Sequence, residues 1–270
     1  MAIFVNEQVA DGLAGETALA AAGRLDPAAD VIVLNGAVVS AATDRPLVDG
    51  DRLVLIARGR AVDEAMLESL MAARHTPGVH AKVKAGTVGI AGLGGLGSAA
   101  AVALARTGVG RLVLVDFDIV EPSNLNRQHF FIDQLGQSKA DALVDTLRRI
   151  NPYLQYDAHT LRVTPENVAE LFGECDVLIE AFDAPDQKAM LLDTWGEVGG
   201  DKPIILASGL AGYETGNTVQ VRKLGASTYV VGDGETAAAE GMGLMAPRVG
   251  IAASQQANTA LRLLLDEMNV

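Results

Sequence analysis

Gly92-Leu93-Gly94-Gly95-Leu96-Gly97 lies between an apolar run at 87–92 and an alanine-rich stretch at 98–107. Glycines at a strand-to-helix turn let the backbone bend sharply and approach phosphate, and a helix N-terminus attracts anions. Asp116 ends the next apolar run, 19 residues after Gly97, where a carboxylate can accept hydrogen bonds from ribose hydroxyls. Gly92, Gly94, Gly95, Gly97 and Asp116 therefore predict a nucleotide site. On these residues alone the nucleotide is NAD or ATP.

The run from Asp116 to Gln128 separates the two. It reads D-F-D-I-V-E-P-S-N-L-N-R-Q. A hydride-transfer enzyme has no use for so dense a polar stretch at that place. Nucleotidyl transfer does, because charge builds on phosphoryl oxygens and must be met by fixed donors. Asn124 and Arg127 are three apart and share a face on a helical turn. Lys139 opens a predicted helix at 137–150 and brings a further cation. Asp183 follows the apolar run 176–181, and ligands of open α/β sheets bind outside the carboxyl ends of the strands. A carboxylate there facing a triphosphate is a natural Mg²⁺ ligand. Asp118 is a candidate for a second Mg²⁺ or a ribose contact. His75, His80, His129 and His159 show no metal-ligand spacing.

The elements that must position these residues fall into two parts. Short strands are expected at 2–5, 8–10, 31–34, 37–39 and 53–57, with a helix at 16–23 after the second. The Asn35-Gly36 turn is a strong hairpin signal. The order β-β-α-β-β-β matches a small β-grasp unit. From residue 87 strand and helix alternate, with strands at 87–92, 111–116, 176–181 and 203–208. Helices are expected at 62–73, 98–107, 137–150, 165–173, 186–196 and 249–267. That alternation predicts a mainly parallel sheet covered on both faces. The segment 225–247, rich in Gly, Ala and small polar residues, reads as mobile. The expected domains are a β-grasp unit at 1–60, a helical linker at 61–85 and an α/β, Rossmann-like domain at 86–270.

Composition narrows the classes. The 270 residues carry a formal net charge of −13, unfavourable for general binding of nucleic acid or anionic membranes. Residues 85–105 lack charge and match the ~20 residues of a membrane span. Six glycines in that run, at the strand-to-helix turn, argue against one. The single cysteine excludes a disulfide framework and any CxxC-paired zinc site. The N-terminal residues show no basic–apolar leader, and a cytoplasmic protein is expected.

Taken in order, G-L-G-G-L-G-S, D-F-D-I-V-E-P-S-N-L-N-R-Q, G-Q-S-K and I-N-P resemble the ubiquitin-activating-enzyme-like adenylyltransferases of the ThiF/MoeB type. The resemblance covers roughly 74–265. A-R-H-T-P (73–77), E-A-F-D (180–183), A-S-G-L-A-G-Y (207–213) and G-L-M-A-P-R-V-G (243–250) look most like the shorter ThiF subtype. The resemblance implies adenylation of the C-terminal glycine of a sulfur carrier protein by MgATP, in thiazole formation for thiamine. It assigns the ribose to Asp116, the phosphates to Asn124, Arg127 and Lys139, and magnesium to Asp183. It also implies a homodimer, in which Arg74 is the candidate to reach the neighbouring site. The chain departs from the pattern in one respect: many relatives carry two CxxC pairs for structural zinc, and with a single cysteine no zinc is expected here. Related enzymes act on a molybdopterin carrier or a tRNA base. Residues 1–60 resemble the carrier ThiS, except that Arg58-Gly59-Arg60 stands where a carrier ends in Gly-Gly with a free carboxylate. A separate ThiS-like carrier, acting in trans, is therefore the expected partner. Cys175, ahead of an apolar strand and without a basic neighbour, reads as a packing residue.

Overall fold

A computed structural model describes residues 2–73, 75 and 78–267. The chain divides into two compact units, 1–80 and 81–270. The division falls within the stretch 61–85 expected as a linker.

The first unit runs β1 (Ile3–Val5), β2 (Gln8–Ala10), α1 (Ala18–Leu25), β3 (Val31–Leu34), β4 (Ala37–Val38), β5 (Arg52–Ile56) and α2 (Glu64–Ala72). Its sheet order is β2-β1-β5-β3-β4, with β1 and β5 parallel and the other pairs antiparallel. Asn35 and Gly36 both have positive φ, the twist that lets a two-residue turn join antiparallel strands. α1 presents Ala18, Ala21 and Ala22 to the sheet, where they bury Ile3, Leu34, Leu53 and Leu55. Such small side chains let helix and sheet approach closely. Asp51 accepts hydrogen bonds from Arg45, Asn35 and the Val48 N–H. The Arg45 guanidinium holds this carboxyl far below the usual carboxylate range.

The division falls inside α3 (Val79–Ala85), after which the second unit runs β6 (Thr87–Ala91), α4 (Gly95–Thr107), β7 (Arg111–Val115), α5 (Lys139–Ile150), β8 (Gln155–His159), α6 (Val168–Phe172), β9 (Val177–Glu180), α7 (Pro185–Val198), β10 (Ile204–Ala207), β11 (Gln220–Lys223), β12 (Thr228–Gly232) and α8 (Ala246–Leu264). The sheet order is β11-β12-β10-β9-β6-β7-β8, parallel except for β11. The order reverses between β6 and β9, and this is the crevice where open α/β sheets take ligands. α5, α4 and α8 pack side by side, and α6 packs with α7. Val163, Phe172, Cys175, Leu191 and Trp195 share one buried cluster with β7 and β9. Burial pushes the Cys175 thiol up to about 12, and the side chain packs in the core.

The segment 225–247 is not mobile throughout, contrary to its composition. Residues 228–232 form β12, whose Tyr229, Val230 and Val231 are buried between β10 and β11. Among the described residues no helix is long and apolar enough to cross a membrane.

Candidate functional site

β6 ends in the glycine loop and α4 begins directly after it. Gly92 has φ +92°, and a Cβ there would meet the Ala181 carbonyl oxygen at 2.8 Å. A Cβ at Gly97 would lie 1.9 Å from the Gly92 carbonyl oxygen. These two glycines are therefore demanded by the turn and by helix–strand contact, not by a ligand. Gly94 differs: a Cβ there would meet only the Gln128 amide, at 3.7 Å. No side chain caps α4, so its first-turn N–H groups remain for an anion.

The loop opens on a cleft of about 810 Å³. Gly92, Gly94, Gly95, Asp116, Asp118, Arg127, Lys139 and Asp183 all line it. The sequence-predicted residues thus converge from three connections, β6–α4, β7–α5 and β9–α7. Asp116 is buried and accepts the Leu93 N–H at 2.6 Å and the Asp118 N–H at 2.8 Å. One carboxylate oxygen therefore holds the glycine loop and the other holds the turn after β7. Lys139 is buried and its Nζ lies 2.8 Å from Asp118 Oδ2. Ser138 caps α5 by accepting the Asp141 N–H, which fixes Lys139 at the start of the helix. Arg127 donates to the Ser123 carbonyl and to Asn126 Oδ1, with no carboxylate partner among the described residues.

Two predicted residues stand outside the lining. Gly97 packs beneath Gly92. Asn124 is buried, and its Oδ1 accepts the Glu121 N–H at 2.9 Å, bracing the turn that carries Arg127. Arg74 lies outside the described residues.

Asp183 is exposed at the mouth of the cleft, just past β9. Among the described residues no three His, Cys, Asp or Glu side chains form a group able to hold a metal ion. The donor set nevertheless fits magnesium, which is commonly held by one or two carboxylates together with substrate phosphates.

The sequence reading missed a second charged pair. Glu180, the last residue of β9, is fully buried beneath the cleft. Its carboxylate meets Lys188 Nζ at 2.9 and 3.1 Å and accepts the Phe182 N–H at 2.7 Å. Lys188 also donates to the Ala207 carbonyl at 3.2 Å, tying α7 to the ends of β9 and β10. Burial pushes the Glu180 carboxyl up, against the pull of Lys188. An acid ending an apolar strand, with a lysine eight residues on, was the available signal.

Arg248, buried at the start of α8, was also missed. It donates to the carbonyls of Glu214 and Thr215, to the Thr218 hydroxyl and to Asp233 at 2.6 Å. Asp233 fixes the loop whose Thr236, Ala237 and Ala238 form another wall of the cleft. Burial alone would raise this carboxyl, but the N–H groups of Thr236 and Glu235, the Thr236 hydroxyl and Arg248 together lower it to about 2. A lowered carboxylate stabilises the fold above its ordinary value of 3.8, and that contribution is lost as pH falls through about 2. The wild type should therefore exceed Asp233→Asn by about 2 kcal/mol at neutral pH. The gap should close between pH 3.8 and 2, read by denaturant melts of both proteins.

Residues 68–270 match the family model described as ThiF family. The chain belongs to the ThiF family. Residues 1–59 match ThiS-like ubiquitin. Over 130 residues this ThiF-family chain is 39% identical to "Adenylyltransferase and sulfurtransferase uba4" of Aspergillus niger, covering 48% of this chain and 27% of that protein. The Pyricularia oryzae protein of the same name is 34% identical over 197 residues, 68% of this chain and 40% of that one. The chain thus spans about a quarter to two fifths of the length of these relatives. "Ubiquitin-like modifier-activating enzyme 5" of Arabidopsis thaliana is 44% identical over 91 residues, 34% of this chain and 21% of that protein. Among solved structures, E. coli tRNA N6-threonylcarbamoyladenosine dehydratase, TcdA, in complex with ATP superposes with TM-score 0.69 at 23% identity. The match covers 77% of this chain and 98% of that one, and it establishes the shared ThiF-type fold.

Proposed function

We propose that this chain is an ATP-dependent adenylyltransferase. Its substrate on this reading is the C-terminal glycine carboxylate of a small ThiS-type sulfur carrier, in thiazole formation for thiamine. The observation that carries the reading is the company the glycine loop keeps. Arg127, Lys139 and Asp183 stand in one cleft with Gly94 and Asp116. A dinucleotide site needs the last two, whereas nucleotidyl transfer needs all five.

The placement of these residues supports one division of labour. Asp116 holds the ribose, and the first turn of α4 receives phosphate. Arg127 and Lys139 hold the phosphate oxygens, Asn124 braces Arg127, and Asp118 sets the Lys139 ammonium. A carrier carboxylate oxygen attacks the α-phosphorus, the bond to the bridging oxygen breaks, and pyrophosphate leaves. Asp183 is the magnesium ligand, and the metal, when bound, offsets charge on the phosphates. The reading includes a cytoplasmic homodimer, with Arg74 reaching the neighbouring copy.

The carrier acts in trans. In the first unit the Arg58 N–H donates to Asp30, and Arg60 pairs with Asp26. Gly59 lies between them in peptide linkage, so it offers no carboxylate nucleophile. Melting curves of the full chain test the nucleotide. MgATP should raise the melting temperature and NAD should leave it unchanged; the opposite pattern would overturn the reading.

A further inference from the structure

The cleft contains a side-chain pair for which phosphate chemistry has no use. Phe117 follows β7 and Arg162 follows β8, neighbouring strands with Val115 opposite His159. The Arg162 guanidinium carbon lies 4.1 Å from the centroid of the Phe117 ring. Both residues line the cleft, and both are exposed, Phe117 at 49%. No carboxylate pairs with Arg162 among the described residues. The cation therefore sits over an aromatic face, in an exposed position.

A nucleotide runs in one line from phosphate through ribose to base. With phosphate at the α4 N-terminus and ribose at Asp116, the next position along the strand ends is that of β8. Leu161, Arg162 and Val163 stand there, with Phe182 and Leu192 also lining the cleft. A guanidinium is planar and weakly hydrated, and it stacks on π-systems as a lysine ammonium does not. Phe117 backs the guanidinium, so less side-chain freedom remains to be lost when a base arrives.

We infer that Arg162, backed by Phe117, is the stacking platform that selects a purine base in this cleft. The inference rests on the reading of the cleft as a nucleotide site. Two features separate it from a general attraction of phosphate to positive charge. Stacking favours the larger purine face over a pyrimidine, and it requires a planar cation. A role through charge alone would weaken all nucleotides alike and would be restored by lysine.

The test uses the full chain and calorimetric titration with AMP and CMP on wild type, Arg162→Ala, Arg162→Lys and Phe117→Leu. Both arginine variants should weaken AMP roughly tenfold, the scale of one lost base stack, and CMP by less than about threefold. Phe117→Leu should weaken AMP by a smaller factor in the same direction. An unchanged AMP-to-CMP preference in Arg162→Ala, or full recovery in Arg162→Lys, would overturn the inference while leaving the nucleotide site standing. If folded wild type bound neither AMP nor MgATP, the nucleotide site and this inference would fall together. Each variant is checked for native melting behaviour first. Should Arg162→Ala fail to fold, the lysine variant carries the same decision.

Discussion

Arg127→Ala and Asp183→Asn should both remain folded and both lose most of their pyrophosphate exchange with a competent carrier. Folding should survive because neither side chain belongs to the core. The Arg127 guanidinium donates only within its own turn, to Ser123 and Asn126. Asp183 is exposed at the end of β9. The loss of rate follows from what each group meets during transfer. A fixed donor to developing phosphoryl charge is worth roughly 3 kcal/mol, about a hundredfold in rate. Arg127→Ala should show that loss at saturating ATP. Asp183→Asn removes the charge from the one metal-facing carboxylate assigned here, so its residual rate should need more magnesium than the wild type. Wild-type exchange rates in both variants, with a carrier known to turn over, would show that the site has been assigned to the wrong residues.

Lys188→Met should cost about 3 kcal/mol of stability or more, because it strands the fully buried Glu180 without a counter-ion. The pH dependence gives the cause. Burial already raises the Glu180 carboxyl above its ordinary value of 4.5. A raised carboxyl contributes stability that is fully present below the ordinary value and lost as pH rises through the folded one. Without Lys188 the folded value climbs further, so the deficit of the variant should grow once pH rises past the wild type's own folded value, which lies above 4.5. Urea melts across this range measure it. Adding Glu180→Gln to Lys188→Met should recover part of the loss, since an amide needs no counter-ion. A deficit below about 1 kcal/mol that is flat with pH would mean the pair is not a buried ionic lock.

The placement of these groups was readable only in part from sequence. The glycine loop, Asp116 and the polar run announce themselves because phosphate chemistry demands unusual residues in a fixed order. The central strands did so too, since a strand buried on both faces is a continuous apolar run. β8 (QYDAH) and β11 (QVRK) were missed because they are the two sheet edges and carry polar side chains. β12 was hidden by its neighbours, a short Tyr-Val-Val core between glycine-rich turns. Glu180 and Lys188 could not be joined from sequence, because their contact depends on how α7 lies against the ends of β9 and β10. Asn124 shows the opposite limit. Its spacing from Arg127 suggested a shared ligand, while its side chain holds the turn on which Arg127 stands.

The most direct test is carrier-dependent exchange of labelled pyrophosphate into ATP by the full chain. A ThiS-type carrier with a free C-terminal glycine should support exchange. The same carrier lacking its terminal glycine should not, and the chain alone should give none. Exchange without any carrier, or no exchange with any glycine-terminated carrier while NAD raises the melting temperature, would contradict the account.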